Sequence, residues 1–137
     1  MIVTAKLTFS AAHRLHNPMY DADWNRRVFD KCDNPAGHGH NYTIEVSVKG
    51  TIDPETGMVI DLKNLKHIMR TQLVDRVDHK NLNEDVPFLK GTIPTAENLV
   101  RAFWKQLEGS IPHGRLYEIV LRETEKNSVL YRGEDEE

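Results

Sequence analysis

Residues 41–49, NYTIEVSVK, alternate without a break: Tyr42, Ile44, Val46 and Val48 point one way, Thr43, Glu45, Ser47 and Lys49 the other. A period of two marks a β-strand with one apolar and one wet side. Residues 2–10, IVTAKLTFS, repeat the pattern, with Val3, Ala5, Leu7 and Phe9 opposed to Thr4, Lys6 and Thr8. Residues 14–37 between the two strands are polar and too many for a hairpin turn. A loop of that length without obvious structure is usually functional.

Downstream the period changes. After the turn-rich GTIDPETGM (50–58), Asp61 is placed to cap a helix that carries Leu62, Leu65, Ile68, Met69 and Leu73 at helical spacing. VDHKNLNEDVPF (77–88) breaks that period. A second helix is predicted from Thr95, just after Pro94, through Leu99, Ala102, Phe103 and Leu107 to Gly109. RLYEIVLRET (115–124) alternates again, with Tyr117, Ile119 and Leu121 on one face, and NSVLYRG (127–133) supplies a short last strand. The expected order is β-β-α-α-β-β, an α+β fold with an antiparallel four-stranded sheet and both helices on one face. Four strands with open edges invite pairing between subunits, so a homo-oligomer is expected.

The chain has 137 residues, 39% hydrophobic and 28% charged, which fits one soluble domain over residues 1–133. Its formal charge is −3, and removing Glu134, Asp135, Glu136 and Glu137 would leave +1. Residues 134–137 therefore read as an acidic, disordered tail. Lysines and arginines are scattered, which argues against nucleic acid as a partner. The N-terminus has no secretory pattern, and no stretch approaches the roughly 20 apolar residues of a membrane span. One cysteine excludes an internal disulfide and suits a reducing compartment, so a cytoplasmic location is expected.

KCDNPAGHGHNY (31–42) concentrates the chemistry. His38 and His40 sit two apart, which on extended chain puts both rings on one face. His13 ends the first strand and, in an antiparallel pair, would lie beside the start of the second. Three imidazoles with a fourth position open is the donor set of catalytic zinc, at Zn–N distances of about 2.0–2.1 Å. Exposed loop histidines would give the same spacing. Cys32 could act as a thiolate base off the metal, or simply pack as a half-buried thiol. Asp78 and His79 could form an oriented proton carrier or merely end a helix. Glu123 continues the Tyr117–Ile119–Leu121 stripe; a carboxylate there suits a ligand edge with two N–H donors, unless it lies past the sheet rim in water. Thr95 and Glu97 read as ordinary first-turn helix residues.

FSAAHRL (9–15), KCDNPAGHGHNY, IDPETGMVIDLKNLK (52–66), VDHKNLNEDVPF, PTAEN (94–98) and YEIVLRET with VLYRGE (117–134) together resemble the 6-pyruvoyl-tetrahydropterin synthase family, in order and over nearly the whole chain. The resemblance implies the tunnelling fold, with trimers closing their sheets into a barrel, two trimers stacking into a hexamer, and sites between subunits. It implies zinc held by His13, His38 and His40, a catalytic Cys32 assisted by Asp78 and His79, a pterin anchored by Glu123, and Thr95 and Glu97 in the segment lining that pocket. Arg14, with Lys31 and Arg27, is a candidate to neutralise the substrate's triphosphate.

Two chemistries on dihydroneopterin triphosphate are implied. One eliminates triphosphate and gives 6-pyruvoyl-tetrahydropterin; the other also cleaves the side chain and gives 6-carboxy-tetrahydropterin on the way to queuosine. The Cys-x5-His-Gly-His spacing resembles the first type, whereas PTAEN is closer to the bacterial pattern. The expected activity is the pyruvoyl-type carbon–oxygen lyase. A pterin-binding protein without catalysis and a structural zinc protein are the alternatives.

Overall fold

The computed structural model describes residues 1–134, so Asp135–Glu137 of the expected acidic tail lie outside the described residues. Strand β1 (Ile2–His13) pairs antiparallel with β2 (His38–Lys49) along its full length. The segment between them is not structureless. It holds helix α1 (Ala22–Phe29) followed by a 3-10 turn at Asp30–Asp33. Asp21 caps α1 by accepting from the Trp24 backbone N–H. The only buried residue of α1 is Asn25, whose side chain bonds Asn17 through both its oxygen and its nitrogen and also donates to the Tyr20 and Asp21 carbonyls. The helix is amphipathic, with Trp24 and Val28 four apart, but at eight residues it is shorter than the window in which a helical period stands out.

The first long helix behaves as its pattern predicts. α2 (Leu62–Met69) is capped by Asp61, whose carboxylate accepts from Lys63 N–H, and buries Leu65, Ile68 and Met69. It continues through a π-helical turn at Arg70–Val74 into the short α3 (Asp75–Val77). The two-residue strand β3 (Lys80–Asn81) then runs parallel to β1 against Ala11 and Ala12. α4 (Ala96–Leu107) is capped by Thr95 and buries Leu99, Val100, Phe103 and Leu107. β4 (Arg115–Arg122) pairs with β2, and β5 (Ser128–Tyr131) closes the other edge.

The sheet therefore has five strands in the order β3-β1-β2-β4-β5, one more than expected, because the chain leaving α3 touches the end of β1. The core lies between one sheet face and α2–α4, with Phe9 and Tyr42 stacked at 4.8 Å and Phe103 set edge-on to Phe9. The other face is polar. A register shift at Ser47 and Val48 sets Val48 opposite Leu116 and Ser47 opposite Glu118. Leu116, not Tyr117, thus joins Ile119 and Leu121 in the core. Tyr117 instead lies among Lys49, Arg115 and Arg132, each about 5 Å from its ring centre. This correction stems from a bulge, which reverses the alternation upstream and leaves Glu123 in its expected register.

Candidate active site

β1 and β2 bring the three histidines together through register. His13 lies directly opposite His38, and His40 lies opposite Ala11, so all three rings share the core-side face with Phe9 and Tyr42. Gly37 makes the approach to β2 possible: its φ is +72°, and a Cβ there would come within 3.0 Å of the His13 carbonyl. One ring nitrogen from each of His13, His38 and His40 lies within 4.8 Å of the others. It is the one such cluster of potential metal ligands among the described residues.

The protonation pattern of the cluster follows from its partners. His13 Nδ1 donates to the Pro94 carbonyl at 2.8 Å, which leaves Nε2 as a lone pair, 3.1 Å from His38 Nε2. The Tyr42 hydroxyl stands 3.4 Å from the same Nδ1. Burial lowers the pKa of His13 below the ordinary histidine value, and the neighbouring rings of His38 and His40 push the same way. His40 is also lowered, chiefly by burial, against the opposing pull of Glu123. Burial of Tyr42 raises its pKa, and the Glu123 charge adds to this. The nearest carboxylate to His40 is Glu123, with Oε1 3.6 Å from Nε2, too far for a hydrogen bond.

His40 Nε2 is the buried side-chain polar atom left without a hydrogen-bond partner among the described residues. A buried polar atom in that state requires an explanation. Converging ring nitrogens, with a backbone carbonyl fixing the His13 tautomer, form the donor set that a zinc ion requires. Tetrahedral zinc would set donor nitrogens about 3.4 Å apart, close to the His13–His38 separation. The residues present fit the metal.

Of the other candidates, Glu123 meets the cluster through its side chain, and the rest lie on the neighbouring segments. Cys32 is half-buried in the 3-10 turn, and its carbonyl accepts from Leu15 N–H at 2.8 Å, two residues beyond His13. Asp78 accepts from Ser10 N–H at 2.9 Å, and that bond chiefly holds its carboxyl below the usual range. His79 takes a left-handed backbone (φ 59°), which lets its Nδ1 reach Asp78 Oδ1 at 3.0 Å although the residues are adjacent. A non-glycine residue held there points to a functional constraint. The His79 ring is 82% exposed and borders, with His40 and Gly39, a cleft of about 420 Å³ that Cys32 does not line.

Thr95 spends its hydroxyl on capping α4, accepting from Asn98 N–H, while Glu97 is exposed in the first turn of that helix. Arg14 is tied to Asp33 through Nε and one terminal nitrogen. Arg14 and Lys31 line a cleft of about 400 Å³ together with Arg26, which had no distinguishing mark in the sequence; Arg27 does not line it.

The family model for 6-pyruvoyl tetrahydropterin synthase matches residues 2–134. The chain belongs to this family. It is 46% identical over 132 residues to the 6-pyruvoyl tetrahydrobiopterin synthase of Poecilia reticulata, covering 96% of this chain and 90% of that one. It is 43% identical to the protein of the same name from Homo sapiens, covering 96% and 91%. Among solved structures, the Caenorhabditis elegans 6-pyruvoyl tetrahydropterin synthase superposes with a TM-score of 0.89 at 42% identity, covering 98% of this chain and 97% of that one. The Plasmodium falciparum 6-pyruvoyl tetrahydropterin synthase shares the fold alone, at a TM-score of 0.65 and 16% identity. The tunnelling fold implied by the sequence motifs is therefore the fold of this chain. Among the described residues no helix is long and apolar enough to cross a membrane.

Proposed function

We propose that this chain is a zinc-dependent 6-pyruvoyl-tetrahydropterin synthase, a carbon–oxygen lyase converting 7,8-dihydroneopterin triphosphate to 6-pyruvoyl-tetrahydropterin and triphosphate. The observation that carries the reading is the buried, unpartnered His40 Nε2 converging with His13 and His38 beside the Glu123 carboxylate. His13, His38 and His40 would hold the zinc, which when bound supplies a Lewis acid that makes protons on the substrate side chain easier to remove.

Glu123, 24% exposed at the rim of the cluster, accepts from the two N–H groups of the pterin's amino-pyrimidinone edge and so aims the side chain at the histidines. Thr95 and Glu97 line the approach from the start of α4. Cys32 as thiolate removes a carbon-bound proton, and triphosphate leaves by elimination. His79, its ring fixed by Asp78, carries protons as the hydrogens are redistributed. The triphosphate meets Arg14, Lys31 and Arg26 in their cleft, which Asp30 and Asp33 also line.

Because His79 is exposed and opens on a cleft apart from Cys32, the reading includes assembly. The uncovered sheet face, the open edge of β5 and the part of β1 beyond its two-residue pairing with β3 support trimers closing into a barrel and stacking as a hexamer, with each site shared between subunits. A cytoplasmic setting agrees with the single, unpaired cysteine. The test is to incubate the zinc-loaded protein with dihydroneopterin triphosphate and weigh the products. A pyruvoyl product supports the reading. A carboxy product with acetaldehyde moves the chain to the queuosine-type synthase, and unchanged substrate marks a binder without catalysis. Cys32→Ala should keep its zinc and lose turnover; full activity removes the thiolate from the mechanism.

A further inference from the structure

The turn that carries Cys32 buries none of its residues. Asp30–Asp33 is a single 3-10 turn closed by Asn34 N–H donating to the Lys31 carbonyl. What else holds it comes from the chain just beyond His13. Leu15 N–H donates to the Cys32 carbonyl. Arg14 Nε donates to the Asp33 carbonyl at 2.8 Å, and a terminal nitrogen of the same guanidinium lies 3.1 Å from Asp33 Oδ1. His16 Nδ1 meets that oxygen at 2.7 Å.

Arg14 is itself fixed, since its backbone N–H donates to Asn83 Oδ1 at 2.7 Å and Asn83 Nδ2 donates back to its carbonyl at 2.8 Å. The Asp33 side chain is only 14% exposed, so these contacts are less screened than a surface pair. Arg14 and His16 follow the ligand His13 by one and three residues. The network therefore ties the thiol-bearing turn to the strand end that carries a metal ligand.

We propose that Asp33, gripped by Arg14 and His16, is a positioning residue that aims the Cys32 thiol at the reacting carbon. The proposal rests on Cys32 being the base. Asp33 does not touch the histidine cluster; it lines the cleft of Arg14, Lys31 and Arg26, and it acts on Cys32 through the turn. Misplacing a catalytic group by about 1 Å costs on the order of a hundredfold in rate, whereas substrate binding at Glu123 would not notice.

The test uses the full chain in its assembled form. For Asp33→Ala, kcat should fall by about tenfold or more, and zinc content should not change. In zinc-free protein the same variant should alkylate at Cys32 with iodoacetamide several-fold faster, on the order of fivefold, because the turn is released. Asp33→Asn keeps an oxygen acceptor for Arg14 and His16 and should recover most of both properties. His16→Ala removes one grip and should move both readouts the same way by a smaller factor, which also covers an Asp33→Ala protein that fails to fold.

A kcat within about twofold of the parent overturns the proposal, as does a loss of kcat with the alkylation rate unchanged. Full activity of Cys32→Ala would instead sink the thiolate mechanism, and would leave the alkylation result standing as evidence that the clamp exists.

Discussion

Zinc should stabilise this protein through the three rings and through nothing else, and His40 is the place to test it. A ligand that binds only the folded state, at a hundredfold excess over its Kd, adds about 2.7 kcal/mol. At about 2.1 cal/mol/K per residue, 137 residues have an unfolding entropy near 0.3 kcal/mol/K, so that gain raises Tm by about 9 °C. In His40→Ala the third ligand is gone while His13 and His38 remain opposed across β1 and β2. The zinc-induced rise should then shrink to about 3 °C or less. Without metal, the variant should melt within a few degrees of the parent, on the order of 3 °C, because the atom removed makes no hydrogen bond within the chain. The assay is thermal unfolding after chelation, with and without added zinc, alongside zinc per chain by elemental analysis. An equal rise in both proteins would refute the site.

Two further outcomes follow from the same end of the sheet. Asp78→Ala removes the acceptor for Ser10 N–H and should cost about 1 kcal/mol. The folded-state carboxyl titrates below its unfolded value, so its contribution is fully present above about pH 4 and is lost as pH falls through the lowered pKa; parent and variant stabilities, measured by urea unfolding, should converge in strong acid. Gly37→Ala meets both a positive φ and the His13 carbonyl at 3.0 Å, and should cost about 1–3 kcal/mol while loosening zinc; unchanged stability would show that the turn relaxes freely.

Legibility in the sequence tracked the range of the physics involved. β1, β2, α2 and α4 obey local periods, and the caps at Asp61 and Thr95 are local hydrogen bonds, so each was readable from a short window. The convergence of His13 with His38 was readable too, because antiparallel register carries one strand end to the other strand's start. α1 was not, since at eight residues it is shorter than the window in which a helical period stands out. β3 is too short for any pattern, and the bulge at Tyr117 breaks a stripe that looked continuous. The tie between Arg14 and Asp33 spans 19 residues and joins two loops, where no periodicity operates.

The arrangement of Asp78 and His79 shows why adjacency was a poor guide. Neighbours on an extended chain point to opposite sides, and on that ground the pair reads as a simple helix end. Here Asp78 is pinned by Ser10 N–H, and the backbone of His79 is pinned in turn, donating to the Ser10 carbonyl at 2.6 Å. Both ends of one β1 peptide segment are thus used to hold the dyad, and the left-handed φ of His79 is what lets the imidazole fold back onto its own predecessor. Ser10 lies three residues before the ligand His13 on the same strand, so a rigid β1 sets the spacing between proton carrier and histidine cluster. Strain at His79 is tolerable because its N–H bond to the Ser10 carbonyl and its ring contact with Asp78, itself held by Ser10 N–H, over-determine its position. A ring so constrained yet so exposed is fixed in direction at the mouth of the cleft it shares with His40.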